Sequence, residues 1–266
     1  MSKITKNKLL DWIVDFPIQS NLSLVLELPP GNKLISLHED KIVHAASMMK
    51  LPVMATVFRL SREKKLNLFD HIQVKNSFPS LTSSDYFSLN QTLTRSHYQL
   101  IELVELMIAN SDNQATNILI NLVGFFEIEE TLKIWCMHNT KIIRMIMDKH
   151  AFNQGLNNLT SAEDIACFFR KLWKGEEITG IEKNQMLDIL KKQTIKDRIP
   201  SAVPEGIEIA HKTGSITGHC YDGGIIYTHP PFILVVLVYN RDDGVSVIQK
   251  ITGNIFKFFD QLTTLH

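Results

Sequence analysis

The amino-acid sequence predicts an α/β (α+β) fold: an antiparallel sheet built from both chain ends and flanked by terminal helices, plus an all-helical lobe from the middle. Three observations lead there. Strand-like runs occur before residue 45 and again after residue 205; the stretch between them carries apolar residues at three- and four-residue spacings; and the chain closes on an apolar-periodic segment. Strands at the two ends that share a buried face imply one sheet, with the intervening helices as a separate layer. The domain reading is an α/β subdomain of residues 1–45 and 205–266 and a helical subdomain of residues 46–204, with the active-site cleft between them. With 266 residues, 44% of them hydrophobic and 21% charged, the chain has material for such a core.

Each element has its own warrant. "MSKITKNKLLDWIVDF" (1–16) starts basic, but Asp11 and Asp15 interrupt its apolar stretch and no small-residue cleavage site follows, so it reads as an amphipathic helix rather than a secretory signal. "LSLVLELP" (22–29) and "KLISLHED" (33–40), separated by the turn signal "PGN", read as a β-hairpin. "YQLIELVELMIAN" (98–110) and "QATNILINLVG" (114–124) are helical by spacing, and "SAEDIACFF" from Ser161 opens another helix. Strand character returns in "GIEIAHKTG" (206–214), "YDGGIIYTH" (221–229) and "FILVVLVYN" (232–240), followed by a helix over "VSVIQKITGNIFKFFDQL".

Composition excludes several classes of partner. Lys plus Arg equals Asp plus Glu at 28 each, so no global field draws the chain to nucleic acid or to an anionic membrane. No window approaches the roughly 18 uncharged apolar residues of a membrane span. As written the chain reads as a cytoplasmic monomer, or as periplasmic or secreted where a signal peptide has been trimmed. Cys136, Cys167 and Cys220 are odd in number and lack a CxxC pair, so they are expected to be free, two of them in the core. None of the ten histidines has H-x-x-x-H or H-E-x-x-H spacing, and no metal or cofactor is expected. His211 and His219 flank "KTGSITG" and could face each other across a hairpin; plain strand positions explain them best, a role lining the cleft next, and a metal pair least.

The chemistry starts at "HAASMMKLPV" (44–53), where Ser47 stands three residues ahead of Lys50 in front of an apolar run. A chain this long contains roughly one S-x-x-K by chance, and indeed there is a second, "SREK" at Ser61, in a charged setting with no apolar run after it. Ser47 differs because it is placed at the start of a helix entering the core, where three-residue spacing puts it on the same face as Lys50. Backbone N–H groups at such a helix start also stabilise an oxyanion. Pro52 resists this picture, since it cannot donate a backbone hydrogen bond, and a local bend is expected there. The competing reading is that Ser47 is an ordinary N-cap.

Two downstream tripeptides shift the balance. "SDN" (Ser111, Asp112, Asn113) lies between two helical segments, and "KTG" (Lys212, Thr213, Gly214) lies at the end of a strand. With these three motifs in this order the sequence resembles the serine β-lactamase and penicillin-binding-protein superfamily, class A β-lactamases most closely, over nearly its whole length. The resemblance implies a β-lactamase-like fold and a serine hydrolase whose substrate is a small molecule or peptide-like, an amide, β-lactam or ester bearing a carboxylate. It implies Ser47 as nucleophile, Lys50 as the group that takes or relays its proton, and Ser111 as proton donor to the leaving group. Asn113 would bind the substrate amide, Asp112 would organise the turn, and Lys212 and Thr213 would bind the carboxylate. Gly214 would let substrate approach the strand edge, and the backbone N–H groups of Ser47 and Ser215 would form the oxyanion hole. Lys50 acts as a base near neutral pH only if burial and the charge of Lys212 lower its pKa.

One expected group is missing. Class A β-lactamases carry E-x-x-L-N, whose glutamate activates the deacylating water. The nearest match is "NQGLN" (153–157), with Asn153 in place of glutamate, and a competing register puts Ala151 there. Glu163 and Asp164 are expected in a helix first turn from the dipole alone, the lesser alternative being that one of them, or Asp148, replaces the glutamate. The alternative function is therefore a penicillin-recognising binding or sensor module that is acylated but hardly turns over.

Overall fold

The strand-like runs at the two ends of the chain pair into one sheet. The computed structural model describes residues 20–74 and 92–263; the helix expected over residues 1–16 lies outside them. In chain order come β1 (Leu22–Leu28), β2 (Asn32–Leu37), β3 (Val43–His44) and a 3-10 turn (Ala46–Met49) that runs directly into α1 (Lys50–Arg62). Then follow β4 (His71–Gln73), β5 (His97–Gln99), α2 (Leu100–Ala109), α3 (Asn113–Val123), α4 (Phe125–Ile134) and α5 (Lys149–Asn153). The chain continues through β6 (Leu159–Thr160), α6 (Ala162–Lys174), α7 (Gly180–Lys191), β7 (Ile209–Ile216), β8 (His219–Ile226), β9 (Phe232–Tyr239) and α8 (Gly244–Thr263).

The main sheet has the order β2-β1-β9-β8-β7 with antiparallel neighbours, so β1 from one end of the chain lies against β9 from the other and β7 is an edge. The first hairpin forms as expected, but its second strand stops at Leu37, because His38 takes a left-handed φ of 46° and turns its ring onto the Leu22 carbonyl. Both faces of the sheet are covered, which is why "FILVVLVY" is an unbroken apolar run rather than an alternation. One face, with Leu24, Leu234, Val236 and Val238, packs on Val247, Ile248, Ile251 and Ile255 of α8. The other, with Val25, Ile233, Val235 and Leu237, joins the larger core through Ile165, Phe168 and Phe169 of α6. Helix α6 thus lies across β1, β8 and β9 and fastens the helical region to the sheet.

At the centre of the helices is α1, with every residue from Lys50 to Leu60 buried. A helix apolar almost all round is one enclosed on all sides. The bend expected at Pro52 is not how the chain accommodates that residue. Pro52 is the third residue of α1, in the first turn, where N–H groups have no intrahelical acceptor, and the irregularity precedes it as the 3-10 turn. Among the described residues no helix is long and apolar enough to cross a membrane. All three cysteines are free, but only Cys220 is buried; Cys167 is half-buried and Cys136 is exposed, at the end of α4 rather than on its apolar stripe.

Candidate active site

The expectation that Ser47 opens the α-helix is corrected by one turn. Ser47 lies in the 3-10 turn, and Lys50 is the first α-helical residue, its N–H donating back to the carbonyls of Ser47 and Met48. Ala46 starts the turn at a φ of 44°, Ala45 N–H donates to the Asn158 carbonyl at 2.8 Å, and the buried Met48 and Met49 hold the turn to the core. In a 3-10 turn residues three apart eclipse, so the spacing that suggested a shared helix face gives a shared side here as well. Strand β7 clamps the turn from above: a Cβ on Gly214 would meet Met48 Cγ at 3.2 Å and Ala46 Cβ at 3.4 Å. The lack of a side chain at Gly214 thus lets the turn pack closely against the strand.

Two fully buried lysines meet at one hydroxyl. Lys50 Nζ donates to Ser111 O at 2.7 Å, to Asn113 Oδ1 at 2.8 Å and to Ser111 Oγ at 3.1 Å; Lys212 Nζ donates to the same Ser111 Oγ at 3.0 Å and to Thr213 O at 2.9 Å. Burial, and then the charge of Lys212, push Lys50 well below the usual lysine range, against the pull of Asp112. Lys212 falls to about 7, chiefly through burial, with Asp222 opposing and Arg198 adding to the fall. Three donors on Lys50 describe its ammonium form. When it is neutral it has two, and the longest contact reverses so that Ser111 Oγ–H donates to nitrogen.

The SDN segment is shaped for this. Ser111 has a left-handed φ of 56° between α2 and α3, and Asp112 caps α3 by accepting from Ala115 N–H at 2.8 Å and from the Thr92 hydroxyl. Asp112 is thus the turn organiser it was expected to be. One helical turn beyond Asn113, Asn117 accepts Ile146 N–H at 2.9 Å and donates to Ile146 O at 3.0 Å, fixing the opposite wall of the site. Sequence reasoning missed Asn117, because its significance depends on a loop 29 residues away.

On β7 the alternation of side chains separates residues that sequence reasoning grouped. Lys212 faces the helices, whereas Thr213 lies opposite Asp222 on the other face and is 1% exposed. Lys212 and Thr213 are both buried, and of the β7 residues Ser215 and Ile216, at the exposed end of the strand, line the cleft. Arg198 was also missed: its guanidinium donates to Gly214 O at 2.9 Å, Tyr221 O at 2.7 Å and Ser215 Oγ at 2.5 Å, bringing a buried cation to this end of the strand. It stands alone in a loop, with no local pattern to reveal it. His211 and His219 do not face each other. The β7–β8 register pairs His211 with Gly224 and His219 with Ile216, at opposite ends of the hairpin. His211 Nδ1 lies 2.9 Å from Asp222 Oδ1 in the interior, while His219 packs edge-on to His44 with ring centroids 5.7 Å apart. Gly224 serves sheet geometry, since a Cβ there would lie 2.4 Å from Ala210 O.

A cleft of about 280 Å³ is lined by Ser47, Asn113, Ile146, Arg144, Phe152 and Ser215 among others. His44 also lines it and is held neutral, its pKa pushed down by burial, then by His219 and Arg144. Neither register proposed for the missing glutamate reaches this cleft: Asn153 is exposed, and Ala151 is buried within α5. Ile146 is among the residues that do line the cleft, its backbone held by Asn117. Asp148 also lines the cleft, but its carboxylate caps α5 at Ala151 N–H, 2.9 Å away. Glu163 pairs with Lys33 and Arg170, and Asp164 accepts from Asn139 N–H and Thr140 Oγ1, so both are engaged elsewhere. A second groove, of about 650 Å³, lies beyond Asn110–Asn113 between Arg95, Tyr98 and Glu102. Among the described residues no cluster of His, Cys, Asp and Glu could hold a metal ion.

Comparison with known proteins places these features in context. The family described as "Beta-lactamase enzyme family" matches residues 6–259. A structure of PBP-A is 25% identical with a TM-score of 0.79, each chain being covered to 97%. A β-lactamase from Sphaerobacter thermophilus is also 25% identical, with a TM-score of 0.79 and 98% of each chain covered. A class A β-lactamase representative from Bacteroides cellulosilyticus shares the fold at 17% identity and a TM-score of 0.81, with 97% of this chain and 99% of that one covered. No curated protein sequence matches the chain.

Proposed function

The chain belongs to the β-lactamase enzyme family, and we propose that it is a serine hydrolase of the β-lactamase-like type acting through an acyl-enzyme on Ser47. The observation that carries this reading is the convergence of Lys50 and Lys212 on the Ser111 hydroxyl beside the cleft that Ser47 lines. Neutral Lys50 takes the proton of Ser47 as Oγ attacks the substrate carbonyl. Backbone N–H groups of Ser47 and Ser215 receive the oxyanion. The bond from the carbonyl carbon to nitrogen or oxygen then breaks, and the proton passes from Lys50 through Ser111 to the leaving atom. Once Lys50 has taken the proton of Ser47, Ser111 accepts from both lysine ammonium groups, which frees its own O–H for the leaving atom. The positive field of Lys212 and Arg198 draws the substrate carboxylate to the Ser215 end of β7.

A second reading, a penicillin-recognising module that stays acylated, is favoured by Ile146. The cleft wall presents an apolar side chain where a deacylating carboxylate would be useful, and Asp148 is committed as a helix cap. Turnover of a chromogenic cephalosporin and of a nitrophenyl ester, with intact mass followed in parallel, separates the two. Turnover supports the hydrolase, a persistent adduct lost in Ser47→Ala supports the sensor, and neither signal rejects both.

A further inference from the structure

The cleft contains a cation that acyl transfer does not use. Asn158 holds the backbone at Ile143 and Arg144 by three hydrogen bonds: its Oδ1 accepts from Ile143 N–H at 2.9 Å and Arg144 N–H at 3.1 Å, and its Nδ2 donates to Arg144 O at 2.9 Å. The loop is therefore anchored without the guanidinium. That group donates from Nη1 to Met145 O at 3.2 Å, while Nε is buried with no hydrogen-bond partner. Among the described residues no carboxylate lies within ion-pair distance of it; Asp148 attracts it from farther away, with its own carboxylate on the Ala151 N–H. Arg144 nonetheless lines the cleft, with its guanidinium 5.4 Å from the centre of the Phe152 ring. A buried, unpaired guanidinium N–H costs free energy that an anionic ligand restores.

The direction of the substrate says which part of it meets this group. On the proposed function, on which this step rests, the leaving atom sits at Ser111 and the first carboxylate at the Ser215 end of β7. The portion that stays on Ser47 extends past Asn113 and Ile146 to the wall formed by Arg144, Phe152 and Ile216. We propose that this wall is a subsite for an anionic group on the acyl portion of the substrate, with Arg144 as its recognition residue and the Phe152 ring flanking it. The substrate class is accordingly an acyl donor with two carboxylates, one on each side of the reacting carbonyl. The surroundings agree with that sign: the pKa of His44 is pushed down, and among the described residues Asp148, engaged as a helix cap, is the one carboxylate in the lining.

The test compares benzylpenicillin with α-carboxybenzylpenicillin, which differs by one carboxylate on the acyl side chain. Affinities are measured by calorimetry on Ser47→Ala protein, where no acylation intervenes; intact mass of the unsubstituted protein with the same compounds reports separately on acylation. The α-carboxy compound binds about tenfold tighter, and Arg144→Gln in the same background brings the ratio to about two or less. Arg144→Lys keeps the charge without the planar fork and lowers the ratio about threefold, which carries the test if Arg144→Gln does not fold. Equal affinities, undetectable binding of both, or a ratio that survives both substitutions overturns the subsite. Absence of acylation overturns the proposed function instead, and the affinity ratio still decides the subsite.

Discussion

Ser111 concentrates the electrostatics of the site on one oxygen, which makes its two lysine donors the source of the pH dependence. Acyl transfer needs neutral Lys50, so it is lost as pH falls through the lowered pKa of that residue. Binding of a substrate carboxylate needs charged Lys212, so it is lost as pH rises through about 7. A bell-shaped profile is expected for a carboxylate-bearing substrate, and a nitrophenyl ester without a carboxylate should lack the alkaline limb; stopped-flow acylation across pH 5–10 measures both. Lys212→Gln removes the repulsion on Lys50, so with the same ester the acid limb should move to higher pH. Ile146→Glu supplies a carboxylate on the cleft wall and is expected to shorten the acyl-enzyme lifetime by about tenfold or more, read by the decay of the mass adduct. An unchanged lifetime would show that the wall does not reach the ester.

The elements matter through how closely they approach one another. The 3-10 turn that carries Ser47 packs closely on β7 at Gly214, where a side chain would press on Met48, and β7 keeps its place because β8 has no side chain at Gly224. A Cβ at Gly224 would lie 2.5 Å from His211 Cβ and 2.7 Å from His211 Cα, backbone and inner side-chain atoms that cannot move aside. Gly224→Ala should therefore cost about 1–3 kcal/mol in denaturant unfolding and also slow acylation, because relief requires β7 to shift with Lys212 on it. This level was partly legible in the sequence. The apolar spacing placed α2, α3 and α8. The 3-10 turn was not legible, since a helix start and a 3-10 start place residues three apart on the same side.

At the scale of the molecule, the sheet and the helical region are joined by apolar packing and by the ion pair between Glu27 and Arg170. Glu27 of β1 is fully buried, and Arg170 of α6 donates to it from Nε at 2.9 Å and from Nη2 at 2.7 Å, with Glu163 adding a second carboxylate. Arg170→Ala leaves a carboxylate in the interior without its counter-ion and should destabilise by about 3–5 kcal/mol in equilibrium unfolding. The double substitution Glu27→Leu with Arg170→Met removes both charges and should recover most of that loss; failure to recover would mean that the pair sets the geometry between α6 and the sheet.

The sequence by itself determined the fold class, the pairing of the two chain ends into one sheet, and the three motifs, because period and local spacing are properties of short segments. Asp112 as a cap and Ser47, Lys50 and Ser111 as neighbours of one cleft follow from the same local logic together with the resemblance the motifs carry. Only the tertiary structure decided that Ile146 forms part of the cleft wall and that Arg198 and Arg144 bring guanidinium groups to the site. Each of these depends on a contact between segments far apart in the chain, from Asn117 to Ile146 or from Arg198 to Ser215. Strand register and loop path set such contacts, and neither leaves a pattern at the residues it positions.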